Sequence, residues 1–130
     1  MRSVQRFVAV AVVAGVFGTG ASVWAQGEWK APASEAAKKN PEKGVSEKTK
    51  KDVQTQCTPC HGSGKGDGPA AVALNPKPAD WTSDRVQKES DGELFWKIST
   101  GRGPMPPWKD SIPEKERWEI VNYLRTFKKK

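Results

Sequence analysis

The sequence predicts an all-α domain of three main helices with long connections between them. Nowhere do apolar and polar residues alternate in the way a half-buried strand requires. Capping-box pairs, Ser90 with Glu93 and Ser111 with Glu114, precede apolar residues at helical spacing. Between the helices, glycine and proline cluster in segments too punctuated for regular structure.

In chain order, Ser46 is the N-cap type expected to open a helix running toward Cys57, with Val45 and Val53 among its few apolar anchors. From Gly62 to Asp80 the chain reads as loop, with Gly62, Gly64, Gly66 and Gly68 followed by Pro69, Pro76 and Pro78. A connection that long inside a compact domain points to a ligand-wrapping role, with at most one helical turn over Ala70–Leu74. The second main helix starts after Ser90, carries Leu94, Phe95, Trp96 and Ile98, and stops at Gly101. The last opens at Ser111 and presents Trp118, Val121 and Leu124 on one face, widened by Ile120, Tyr123 and Phe127. About 80 residues with so much loop build only a small core. A bound group is expected to fill the interior.

The ends of the chain differ from its middle. Arg2 and Arg6, the apolar stretch Phe7 to Val16, and Val23-Trp24-Ala25 predict an export signal over residues 1–25, cleaved after Ala25. Phe7 to Ala25 is also long enough to span a bilayer as an uncleaved anchor. Residues 26–45 read as a polar linker, extended or partly helical, in which Trp29 is the one side chain suited to docking on the domain. The domain itself is assigned to residues 46–127 and a basic tail to 128–130. The formal net charge of +7 is concentrated outside the domain, because residues 52–127 hold ten basic and eleven acidic side chains. Solvated ends, rather than a nucleic-acid surface, account for that basicity.

Only two cysteines are present, Cys57 and Cys60, and a bridge between them would close a tiny loop with little effect on the unfolded chain. With His61 they form Cys57-Thr58-Pro59-Cys60-His61, the spacing of a c-type haem attachment site. The two thiols add across the two vinyl groups of the porphyrin, and the following imidazole is then placed to direct a nitrogen at the iron. A structural zinc site needs four N or S ligands, more than this cluster offers. A thioredoxin-like pair needs a βαβ setting, which the pattern lacks. His61 is the only histidine, so it has no competitor as proximal ligand.

The sixth iron ligand is expected from Gly101-Arg102-Gly103-Pro104-Met105-Pro106-Pro107-Trp108. Met1 belongs to the leader, which leaves Met105 as the one thioether of the exported chain. A methionine usually fills core space, but this one lies between prolines in a stiff loop. Thioether plus imidazole is the ligand pair of electron-transfer haems and raises their potential.

From about Ser46 to Phe127 the chain resembles a bacterial-type class I monohaem cytochrome c. The matching pieces are Cys57-Thr58-Pro59-Cys60-His61-Gly62, Gly66-Asp67-Gly68-Pro69-Ala70-Ala71, Pro78-Ala79-Asp80-Trp81, Met105-Pro106-Pro107-Trp108 and Arg117-Trp118-Glu119-Ile120-Val121-Asn122-Tyr123-Leu124-Arg125. The resemblance implies a small cytochrome c fold whose helices and loops wrap one covalently attached haem. It further implies that the Pro69 carbonyl accepts a hydrogen bond from His61, and that Leu74, Trp96, Ile98 and Tyr123 line or back the pocket. Trp81 and Arg85 are the residues it offers to the haem propionates. Thr49 and Val53 stand where relatives carry a glycine and an aromatic at the crossing of the first and last helices, so that crossing is expected to be wider or differently packed, with Trp118 compensating.

Together these readings imply a periplasmic one-electron carrier that docks redox protein partners, binds no nucleic acid, and meets a membrane only through partners or an uncleaved leader. A haem subunit fixed in a respiratory or dehydrogenase complex is the alternative, with a haem sensor or peroxidase-like enzyme behind it. Lys97, Arg102 and Lys109 flank the methionine loop and are expected to steer the chain toward acidic partner surfaces.

Overall fold

The computed structural model describes residues 28–129. The expected leader, in either its cleaved or its anchoring form, lies outside the described residues, as does Lys130 of the basic tail. The described chain is helical with no strand; its one isolated bridge joins Arg102 and Met105. None of its helices is long and apolar enough to cross a membrane.

The first main helix is a composite. Ser46 caps α2 (Glu47–Asp52) by accepting from the Thr49 N–H. The chain then widens into a π-helical turn, Val53–Cys57, and tightens again into α3 (Thr58–His61). The Thr58 hydroxyl donates to the Val53 carbonyl at 3.2 Å, which supports the wide turn. Such turns within helices are frequent at functional sites. A 3₁₀ turn, Pro69–Ala73, occupies the one place in the following loop where the sequence allows a helical turn. A short helix, α4 (Asp84–Gln87), capped by Ser83, leaves no mark in the apolar pattern because it is a single turn.

Ser90 caps α5 (Asp91–Thr100), which ends at Gly101 with a positive φ of 59°. The last helix, α6 (Glu114–Arg125), starts after Pro113 and has no side-chain cap. Ser111 is not the cap the sequence suggests; its backbone is used instead in a turn onto the Trp108 carbonyl. Pro113 then supplies a preset φ, and Glu114 and Glu116 face the positive end of the helix dipole. Phe95 of α5 stacks on Trp118 of α6 with ring centroids 3.8 Å apart. The buried Arg117 guanidinium sits 4.8 Å from the centre of the Phe95 ring, and it donates to the Ile112 carbonyl and to the Ser99 hydroxyl.

Where α2 meets α6, Thr49, Val53 and Val121 are fully buried. Glu119 reaches into this contact and accepts from the Ser46 N–H (2.9 Å), the Ser46 hydroxyl (2.6 Å) and the Thr49 hydroxyl (2.7 Å). Trp118 does not take the place of the missing aromatic; it stacks on Phe95, and a carboxylate–hydroxyl knot fills the crossing. Hydrogen bonds from Ser46 and Thr49 hold the Glu119 carboxyl down at about 2, from an ordinary value of 4.5. A carboxyl depressed by folding contributes stability that is full above its unfolded value and is lost as pH falls through the folded one. Glu119→Gln is therefore expected to cost about 1–3 kcal/mol at neutral pH. It should also flatten the loss of stability between pH 4.5 and about 2, as thermal melts across that range will show.

Residues 28–45 are not a free linker. They form a strap that carries α1 (Ala33–Ala36) against α5. Ala31 is buried and its N–H points to Glu93 Oε1 at 3.4 Å. The Ser90 hydroxyl donates to the Ala36 carbonyl at 2.7 Å, and Asn40 and Asn122 pair at 3.0 Å beside the Trp118 carbonyl. A Cβ on Gly92 would overlap the Glu35 carbonyl oxygen, so only glycine lets the strap approach α5 this closely. The strap looks like linker in sequence because its packing uses backbone carbonyls and small side chains, which leave no apolar periodicity.

Candidate cofactor site

Between the composite helix, the Gly62–Asp80 loop, α5 and the methionine loop lies a cavity of about 450 Å³. That is within the ~300–1,000 Å³ range of cofactor and ligand sites. Cys57, Cys60, His61 and Met105 all line it. Its apolar wall includes Leu74, Trp81, Leu94, Ile98, Trp108 and Leu124.

His61 is fixed from two sides. Its ring stacks on Trp81 at 4.6 Å between centroids, and its Nδ1 lies 3.1 Å from the Ala79 carbonyl. A carbonyl only accepts, so Nδ1 carries the proton and Nε2 keeps its lone pair. Burial lowers the His61 pKa against the raising effect of the Ala79 bond, which favours the neutral, metal-ligating imidazole. Neither cysteine is in a disulfide, and burial pushes the Cys57 thiol up to about 11, with the Asp52 and Cys60 charges adding to it. A thiol held protonated in this way is poorly suited to disulfide exchange.

The loop after His61 folds back onto the attachment helix. The Gly68 N–H donates to the Cys60 carbonyl at 3.1 Å, and a Cβ on Gly68 would overlap the Pro59 carbonyl oxygen. Asp67 accepts from the Ser63 N–H at 2.8 Å and from its hydroxyl, which keeps its carboxyl below the ordinary range. At the far end the Trp81 N–H donates to the Gly64 carbonyl at 2.6 Å, closing the loop under Trp81.

Met105 is presented by an equally closed turn. Arg102 and Met105 exchange both backbone hydrogen bonds at 2.9 Å. The Trp108 and Lys109 N–H groups then donate to the Ile98 and Ser99 carbonyls, acceptors in the last turn of α5 that the helix itself leaves open. The methionine is therefore placed by backbone anchors before and after it.

Several expected pocket residues are corrected. Pro69 is exposed and does not line the cavity; the histidine bond expected from its carbonyl is made by Ala79. The loop doubles back, so the carbonyl eighteen residues along, rather than the nearer one, reaches the ring. Trp96 is half-buried and outside the lining, because Leu94 and Ile98 share the cavity face of α5 and Trp96 falls well round the helix from both. Tyr123 meets Trp81 edge-on at 6.3 Å and so stands behind the wall, one of the two placements expected of it. Leu74, Trp81, Ile98 and Arg85 do line the cavity. Lys97 is not a free steering charge: it is 13% exposed and held by Glu89 at 2.8 Å and Glu93 at 3.2 Å.

The residues present suit a c-type haem. They combine two thiols, a neutral imidazole lone pair and a soft thioether around an apolar chamber. Among the described residues no group of three or more His, Cys, Asp or Glu side chains is placed to hold a bare metal ion.

Comparison with known proteins agrees with this chemistry. The family described as "Cytochrome C oxidase, cbb3-type, subunit III" matches residues 45–124. Among solved structures, the chain is similar to one from the "Kuenenia stuttgartiensis reducing HAO-like protein complex Kustc0457/Kustc0458", at 30% identity and a TM-score of 0.58. That match covers 67% of this chain and 44% of the other, so this chain spans less than half of that neighbour's length. The "KustC0563 c-type cytochrome" is similar at 27% identity and a TM-score of 0.52, over 62% of this chain and 96% of the other. A point mutant of that cytochrome matches at 25% identity and a TM-score of 0.52, over 62% of this chain and 98% of the other. No curated protein matches.

Proposed function

The chain belongs to the cbb3-type cytochrome c oxidase subunit III family of c-type cytochrome domains, and from that premise we propose a one-electron carrier with His61 and Met105 as axial ligands. Covalent haem c at Cys57 and Cys60 supplies a ferric/ferrous couple. The observation that supports the ligand assignment is the His61 Nδ1–H bond to Ala79, which leaves the Nε2 lone pair available, in a residue that lines the same cavity as Met105.

In this scheme Ala79 and Trp81 hold the imidazole in one tautomer and one plane, and so tune its donor strength. Met105 would contribute a soft sulfur, a ligand that favours reduced iron. Ligated by both His61 and Met105, the iron would keep no open position for oxygen or peroxide, and Leu74, Trp81, Leu94, Ile98, Trp108 and Leu124 would surround the group with apolar surface. Electron transfer, rather than turnover of a bound substrate, fits such an arrangement.

Carbon monoxide tests the proposal against the sensor and peroxidase-like alternatives. The reduced native protein is expected to keep its spectrum under carbon monoxide at neutral pH. Ready formation of a carbonyl adduct would overturn the carrier assignment.

Assembly into a larger electron-transfer complex is a second reading. It is favoured by the family's description as an oxidase subunit and by the similarity to a chain from an HAO-like complex. Purification under native conditions separates the two: stable association with larger subunits supports the complex, and a free monomer supports the shuttle. Export to the periplasm is proposed with both, because haem is ligated to apocytochromes outside the cytoplasm.

A further inference from the structure

We infer that Trp29, carried by the N-terminal strap, is a positioning residue that screens the haem cavity from water and so raises the reduction potential. The inference rests on the haem assignment above. It concerns a segment outside residues 45–124, the part of the chain the family match covers.

Trp29 is half-buried and lines the cavity alongside the methionine loop and Ile98. It also lines a second, charged recess, which shares Glu28, Arg85, Glu89 and Lys97 with the cavity. The indole therefore adds apolar ring surface where the cavity meets the charged recess.

Its position is built rather than incidental. The Lys97 ammonium lies 5.6 Å from the centre of the indole ring. That ammonium is itself clamped by Glu89 and Glu93, both about as buried as the lysine, at 15% and 13% exposure. Glu93 also accepts from the Ala31 N–H, two residues beyond the indole, so one carboxylate fixes both the strap and the cation the ring faces. Further along, the Ser90–Ala36 bond and the close approach at Gly92 keep the strap on α5.

The consequence follows from charge. Ferric iron carries one more positive charge than ferrous iron, and water stabilises the more charged state. A wall that keeps water out therefore favours reduction, since the hydrophobic shell around a metal site sets its solvent access and potential. Removing the indole widens the opening between the charged recess and the cavity, lets more water reach it and weakens that bias.

Spectroelectrochemical titration of the holoprotein tests this. Trp29→Ala is expected to lower the equilibrium constant for reduction about tenfold, a fall of ~59 mV for a one-electron couple. Trp29→Phe, which keeps an aromatic ring, should stay close to the native value. Should Trp29→Ala not accumulate as folded holoprotein, Trp29→Gln, which puts a smaller polar side chain in place of the apolar ring, is expected to show the same fall. A potential unchanged in the variant titrated, with only the melting temperature lowered, would make Trp29 a strap anchor and overturn the inference. Failure of the underlying assignment looks different: the native protein would then show no haem stain after denaturing electrophoresis.

Discussion

Serine at both Cys57 and Cys60 is expected to abolish covalent haem and, with it, the native fold. The double variant should lose haem staining entirely on a denaturing gel, and its far-UV circular dichroism should fall well below the native helical signal. The reason is the size of the core. Side chains from α5, α6 and the composite helix converge on a cavity of about 450 Å³, and Leu94, Ile98 and Leu124 all face it. A domain this small has little stability in reserve. Leaving those side chains without the group they enclose removes contacts that the protein alone does not replace. A double variant that keeps native helicity and melting temperature would show that the chain folds without haem.

Met105→Ala is expected to lower the reduction potential on the order of a few hundred millivolts, within the ~0.8 V range that axial ligands command. It should also let carbon monoxide bind the reduced protein, which the native chain is expected to resist. The turn that carries Met105 is closed by backbone bonds of Arg102, Trp108 and Lys109, none of which involves the thioether. The loop should therefore keep its shape, so that the change reports on the ligand rather than on collapse. An unchanged potential would remove Met105 as the ligand and leave His61 as the only axial group from this loop-and-helix frame.

Much of the site is legible without coordinates. Cys57, Cys60 and His61 form a local motif, so their spacing alone carries their chemistry. Met105 stands out in the sequence as a lone thioether between prolines, and the fold both packs it against the core and sets it on the cavity. The remaining pocket is harder. The Pro69 assignment fails because a glycine-rich loop can return at several points, and only its closure from Trp81 to Gly64 decides which carbonyl meets the imidazole. The Trp96 assignment fails for a simpler reason. Leu94, Phe95, Trp96 and Ile98 are all apolar, and the facing partners, not the composition, choose which of them turn inward.

The helical class, the haem attachment motif and its single histidine can be read directly from the chain, because they depend on residue types and on neighbours close in sequence. Only the folded chain reveals that Ala79 orients His61, that Glu119 hydrogen-bonds Ser46 and Thr49 where the first and last helices meet, and that residues 28–45 strap onto α5. Each of these joins residues far apart through backbone carbonyls, hydroxyls or carboxylates. Such contacts leave no periodic mark in a sequence, since any polar side chain at an exposed-looking position would read the same until the fold brings its partner beside it.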